Sequence, residues 1–179
     1  MAASLSHGTS KAVNEGSAIE VPFLFDHKLV FVKVTINGKG PFNMLLDTGS
    51  DISAVNLTEA REIGLQLGAK GRVEGAGTDQ TKFYRTRLAQ VEVGGLTVKD
   101  ISAGAIDLSK IGQALHTNLD GVLGYNFLQG RVVQIDYPKR VVRFYSVMPF
   151  PSYDRQQNSE RRVALPFRQP EYGPVIEEV

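Results

Sequence analysis

Phe42-Asn43-Met44-Leu45-Leu46-Asp47-Thr48-Gly49-Ser50 is the stretch whose reading decides the fold. Its apolar run reads as a strand that ends at Asp47 and passes at once into a turn. Hydrolysis of a peptide by activated water needs two carboxylates that share one proton. One is the base for the water and the other the acid toward the carbonyl. Like charges about 3 Å apart cannot both ionise, so such a pair titrates at two separated apparent pKa values. The chemistry therefore asks for an Asp at a strand end, in a turn tight enough to bring two chains together. Gly49 allows a second backbone to come close, and the Thr48 hydroxyl can hydrogen-bond across to a partner turn. Read alone, Asp-Thr-Gly is equally an ordinary β-turn, because Asp and Gly dominate turns. The neighbouring sequence has to decide.

Upstream, Val30-Phe31-Val32-Lys33-Val34-Thr35-Ile36 is β-branched and aromatic, and Asn37-Gly38 follows as a hairpin turn into the Phe42 run. A second hairpin reads from Leu88–Val93 through Gly94-Gly95 into Leu96-Thr97-Val98. A third runs from Val132–Asp136 through Tyr137-Pro138-Lys139-Arg140 into Val141–Tyr145. Helical signals are short. Asn56 with Glu59 three positions on resembles a capping box, Gly64 can close that helix, and Asp107 can cap another reaching Leu115. Short strands at close spacing predict an all-β sandwich or barrel with one or two short helices.

Downstream lies Val122-Leu123-Gly124-Tyr125-Asn126-Phe127-Leu128, an apolar-apolar-Gly motif. Apolar run, Asp-Thr-Gly-Ser and this motif, in that order, resemble the retropepsin-like aspartic peptidases over roughly Val21 to Tyr145. The resemblance implies a closed barrel of the acid-protease type, with Asp47 catalytic and Thr48, Gly49 and Ser50 forming the active-site turn. It implies that the second motif leads into a short helix and packs beneath that turn. It also implies a flap, for which Gly71 to Thr78 is the candidate, with its tip at Gly75-Ala76-Gly77 over the substrate. The same glycines suit a plain surface hairpin; a phosphate loop fails because no third glycine and no helix follow. Asp51 matches an acidic position that helps bind the substrate main chain in the family, and it equally suits an exposed or helix-capping role. Viral members commonly place Arg after the glycine of the second motif, where this chain has Tyr125. The long insertion between Ile101 and Asp120 resembles the bacterial branch, which implies a periplasmic or secreted enzyme whose signal peptide is absent from this sequence.

Composition narrows the rest. The chain has 179 residues, 42% hydrophobic and 22% charged, the balance of one globular domain with tail left over. Its net charge is +1 with no basic stripe, so nucleic acid and anionic membranes are not expected partners. No apolar run is long enough for a membrane span. There are no cysteines, which excludes disulfides, thiol nucleophiles and thiolate-bound metals. His7, His27 and His116 are scattered without metal-ligand spacing, and His27 beside Asp26 reads as a turn residue. No Gly-x-Ser-x-Gly elbow is present. Neither a metal nor any other cofactor is expected.

Residues 1–18 read as a disordered leader or remnant, 19–148 as the peptidase lobe, and 149–179 as a linker and extended tail. Glu177-Glu178 in that tail reads as a solvated charge pair. Only one Asp-Thr-Gly is present, and no Asp-Ser-Gly, so half of a dyad is missing. A homodimer with two Asp47 side chains on its two-fold axis is the simplest repair. A second repair follows from Leu165-Pro166-Phe167, which echoes Val21-Pro22-Phe23 and sets Val175-Ile176 against Phe31-Val32. The tail would then open a second similar lobe. The expected function is cleavage of peptides or proteins as an aspartic endopeptidase. The rival is a peptide-binding or assembly module that keeps the fold without turnover.

Overall fold

A computed structural model describes residues 18–73 and 81–147, with the short segments 167–168 and 175–176. The strands, in chain order, begin with β1 (Ile19–Pro22), β2 (Leu24–Asp26), β3 (Leu29–Ile36), β4 (Lys39–Leu46) and β5 (Ser53–Asn56). After helix α1 (Leu57–Glu62) come β6 (Lys70–Val73), β7 (Thr81–Val93) and β8 (Leu96–Ile106). Helix α2 (Ser109–Ala114), β9 (Gly121–Leu123), helix α3 (Tyr125–Leu128), β10 (Val132–Asp136) and β11 (Val141–Tyr145) complete the main body. Two short strands, β12 (Phe167–Arg168) and β13 (Val175–Ile176), lie in the tail.

All three expected hairpins are present. Asn37 and Gly38 have φ of 50° and 75°, left-handed at both centres of the two-residue turn between β3 and β4. Gly94 and Gly95, at 55° and 94°, turn β7 into β8 in the same way. His27 and Lys28, at 49° and 63°, form the turn between β2 and β3, as expected for His27.

The large sheet runs β2-β3-β4-β9-β5-β8-β7-β6, and β3 also pairs with β7 through Thr35↔Glu92 and Ile36↔Val91. That extra pairing closes β3, β4, β9, β5, β8 and β7 into a six-stranded barrel. Strand alternation fills it. Val32, Val34 and Ile36 of β3, Met44 and Leu46 of β4, and Leu123 of β9 share one buried cluster. The intervening Phe31, Leu45 and Val122 point the other way, where Leu108, Leu115 and Leu119 of the insertion cover them. A second, three-stranded sheet, β1-β11-β10, joins the first strand of the barrel region to its last. Arg143 ties that sheet by donating to both Glu20 and Asp136.

Among the described residues the helices are three and short, and α3 is the one the second motif implied. The capping box expected at Asn56 is not formed as such. Asn56 is the N-cap of α1, yet its side chain makes no cap hydrogen bond and accepts from Leu108 N at 3.0 Å instead. Gly64 closes α1 with φ of 75°, its N–H donating to Arg61 O. The expected cap at Asp107 is displaced by one residue: Leu108 is the N-cap of α2 and makes no side-chain cap bond, while Asp107 Oδ1 accepts from Ser109 N at 3.0 Å just before the helix.

Candidate active site

The parallel ladder of β4 on β9 (Met44↔Gly121, Leu45↔Val122, Leu46↔Leu123) is continued by Asp47 N donating to Leu123 O at 3.0 Å. Asp47 therefore leaves the barrel at a fixed height, one residue past its last paired strand position. Gly49 N donates to Asp47 Oδ1 at 2.9 Å, which curls the turn back on the carboxylate. Asp47 stays half-buried, while Thr48 and Gly49 are exposed. The Thr48 hydroxyl has no hydrogen-bond partner among the described residues of this one chain.

Beneath the turn sits the second motif, as the resemblance implied. Tyr125 N donates to Ser50 O at 2.7 Å and Asn126 N to Asp51 O at 3.2 Å, so the first N–H groups of α3 are used up by the loop that carries Asp47. Ser50 Oγ donates to Ile52 O at 2.9 Å. The fit is close enough that a Cβ on Gly124 would lie 2.6 Å from Ile52 C and 2.7 Å from Ser50 O, both backbone atoms.

Two residues without an assigned role in the sequence hold this arrangement together. Ser53, fully buried, donates through N and Oγ to Asn126 Oδ1 at 2.9 and 2.8 Å, and its Oγ accepts from Gly124 N at 3.1 Å. Asn126 Nδ2 then donates to Ser102 O on β8 at 2.7 Å. A small polar residue at a strand start and an amide side chain just after the motif's glycine were the available signals. Their partnership spans 73 residues, so no local pattern announces it.

Asp47, Thr48, Gly49, Ser50 and Asp51 are thus brought together in one loop. Asp51 is exposed, and its carboxylate has no partner among the described residues. Tyr125, where viral members carry Arg, bonds the loop through its backbone N–H to Ser50 O. The arms of the flap candidate are paired, with Gly71↔Phe83 and Val73↔Thr81. Its tip residues Gly75, Ala76 and Gly77 lie outside the described residues. Among the described residues, no three of His, Asp or Glu gather into a metal-binding group.

A six-stranded barrel that presents Asp-Thr-Gly over an apolar-apolar-Gly motif defines the class. The profile of the aspartyl protease family matches residues 32–127, which is 96 of the 179 residues. The chain belongs to that family. Among solved structures it is similar to a retropepsin-like aspartic protease from Rickettsia conorii. Identity there is 18%, covering 73% of this chain and 91% of that one, with a TM-score of 0.49. It is also similar to the retroviral protease-like domain of Ddi1 from Leishmania major, with 16% identity, 68% and 95% coverage and a TM-score of 0.44. EIAV protease complexed with the inhibitor HBY-793 matches at 17% identity, 68% and 92% coverage and a TM-score of 0.37. No curated protein sequence matches the chain.

Proposed function

We propose that this chain is a catalytic lobe of an aspartic endopeptidase, in which Asp47 shares one proton with the aspartate of a second Asp-Thr-Gly turn. The carrying observation is the contrast within one loop: its backbone is bonded into β9 and α3, while Asp47 stays half-exposed at the end of β4. A rigid support with an accessible carboxylate is what general acid–base catalysis requires. The ionised carboxylate of the pair takes a proton from water as the oxygen attacks the peptide carbonyl carbon. The protonated partner gives its proton to the carbonyl oxygen. Collapse of the tetrahedral intermediate breaks the C–N bond, and the amine leaves with a proton from the dyad. Metal, cofactor and covalent intermediate have no part in these steps.

The exposed Thr48 hydroxyl and the close-approach residue Gly49 suit the face that meets the partner turn. That turn comes from a second copy of the chain on a two-fold axis, or from a second lobe. The peptide substrate would lie extended across the cleft, its main chain hydrogen-bonded like an added strand and its side chains in alternate pockets. Digestion of a peptide library from acid to neutral pH, with the parent and with Asp47→Asn, is the test. The parent should cleave, and the variant should lose about 10²–10⁴-fold in rate. A parent that cleaves nothing in any oligomeric state would leave the rival reading, a binding module without turnover.

A further inference from the structure

We propose that β12 and β13 are the opening hairpin of a second lobe built like the first, and that this lobe supplies the second Asp-Thr-Gly turn. The proposal rests on the reading of Asp47 as half of a dyad. Three observations meet at one offset. In sequence, a shift of 144 places Val163 on Ile19, Leu165 on Val21, Pro166 on Pro22, Phe167 on Phe23, Val175 on Phe31 and Ile176 on Val32. Every one of these pairs keeps an apolar residue or proline.

The backbone then repeats the same shift. In the first hairpin Leu24 pairs with Phe31; in the tail Arg168 pairs with Val175, and 168 − 24 = 175 − 31 = 144. The tail's other rung, Phe167↔Ile176, falls on Phe23 and Val32, one step outward in the same antiparallel register. A slip of one residue in either strand would destroy this agreement and send every side chain to the opposite face.

The third observation is spacing. Strand β11 of the first lobe ends at Tyr145, and Val163 stands 163 − 145 = 18 residues later, so the copy begins after the original is complete. The first lobe is also closed on itself, because β1 pairs with β11 and sets Ile19 opposite Phe144. Among the described residues, no strand of that closed body pairs with β12 or β13, which form a sheet of their own. A lone two-stranded hairpin is marginal in water, so such a pair belongs with further strands. The copy has diverged: Gln169, Pro174 and Glu178 stand where the first hairpin has Phe25, Val30 and Val34.

A tether favours such a lobe over a second copy. Residues 146–162 are 17 residues and reach at most about 60 Å when extended, beyond the width of a lobe of this size. Tethered partners meet at an effective concentration on the order of millimolar, which a separate copy must outbind.

Two measurements test this. The first reads the coding sequence past codon 179 in the full transcript, where an apolar run ending in Asp-Thr-Gly or Asp-Ser-Gly is expected near residue 47 + 144 = 191. A stop codon there, or a continuing frame without that turn, overturns the proposal. The second is sedimentation of the 179-residue chain, expected to be a monomer at about 0.1 mM, a tenth of the tethered effective concentration. A homodimer that cleaves peptides in an Asp47-dependent way overturns the proposal and leaves the peptidase reading intact. A full-length chain that carries both turns and cleaves nothing supports the second lobe and sinks the peptidase reading.

Discussion

Asp47 and Asp120 sit at opposite ends of the same three-rung parallel ladder, and they have opposite fates. Asp120 precedes β9 and is 5% exposed. Its Oδ2 accepts from Asn43 N and its Oδ1 from Asn118 Nδ2, both at 2.7 Å, and its backbone carbonyl accepts from Asn56 N. Asp47 follows β4, is half-exposed, and among the described residues its carboxylate accepts only the Gly49 N–H of its own turn. One aspartate is a joint, tying Asn43 and Asn118 through its carboxylate and Asn56 through its backbone carbonyl, and burial keeps it from a substrate. The other is held by its backbone and keeps its side chain available. Residue type alone says nothing about which is which; the hydrogen-bond inventory does.

The strongest way to break this comparison is to remove each carboxylate in turn. Asp120→Ala leaves the buried Asn43 N–H without its partner, and two bonds to a charged acceptor are lost. A destabilisation of about 3 kcal/mol or more is expected in urea unfolding. Asp47→Ala should change stability by no more than about 0.5 kcal/mol, because it removes only one local turn contact. Equal losses at the two positions would show that Asp47 is a structural aspartate too, and would weaken its catalytic assignment. The end of the ladder near Asp47 is guarded by packing instead. Gly124→Ala drives a Cβ against the backbone of Ser50 and Ile52, which overpacking places at about 2 kcal/mol. That variant should also lose cleavage rate while Asp47 is intact, because the loop that carries Asp47 must shift. Normal cleavage with lowered stability would separate the support of the loop from its chemistry.

Much of this is legible in the sequence. Asn37-Gly38 and Gly94-Gly95 announce their hairpins because only left-handed φ fits those turns, and the barrel follows from strands whose alternate residues are apolar. The Asp47 turn and the Gly124 motif were legible as a pair through their order along the chain. Asp120 was not, since its acceptor role depends on Asn43, 77 positions away. The Ser53–Asn126 clasp was hidden for the same reason. Asn56 was legible as the N-cap of α1, but its side-chain bond was not, because the capping box was overruled by a tertiary donor, Leu108 N. The echo at Leu165-Pro166-Phe167 is faint as sequence and gains its weight from strand register, a property only the backbone carries.

The smallest effect tests what lies beside Asp120. Glu59 on α1 is half-buried, and its Oε2 is buried without a hydrogen-bond partner among the described residues. Burial first, and then the nearby charges of Asp120 and Glu62, raise its pKa against bonds from its own backbone and Asn56. A raised folded-state pKa favours the folded state below the unfolded value, and that advantage is lost as pH rises through the folded pKa. Glu59→Gln should therefore have a higher Tm than the parent at pH 7, with the difference shrinking toward acid pH. Asp136 runs the other way. The Lys139 N–H, and then Arg143, lower its pKa, so its contribution is present above the ordinary carboxylate value and fades as pH falls through the lowered one. Asp136→Asn should cost stability at neutral pH and less in acid. If Glu59→Gln lowers Tm at pH 7 as Asp136→Asn does, the Glu59 carboxylate is not under strain. The surroundings of Glu59 would then be more open to water than its buried Oε2 implies.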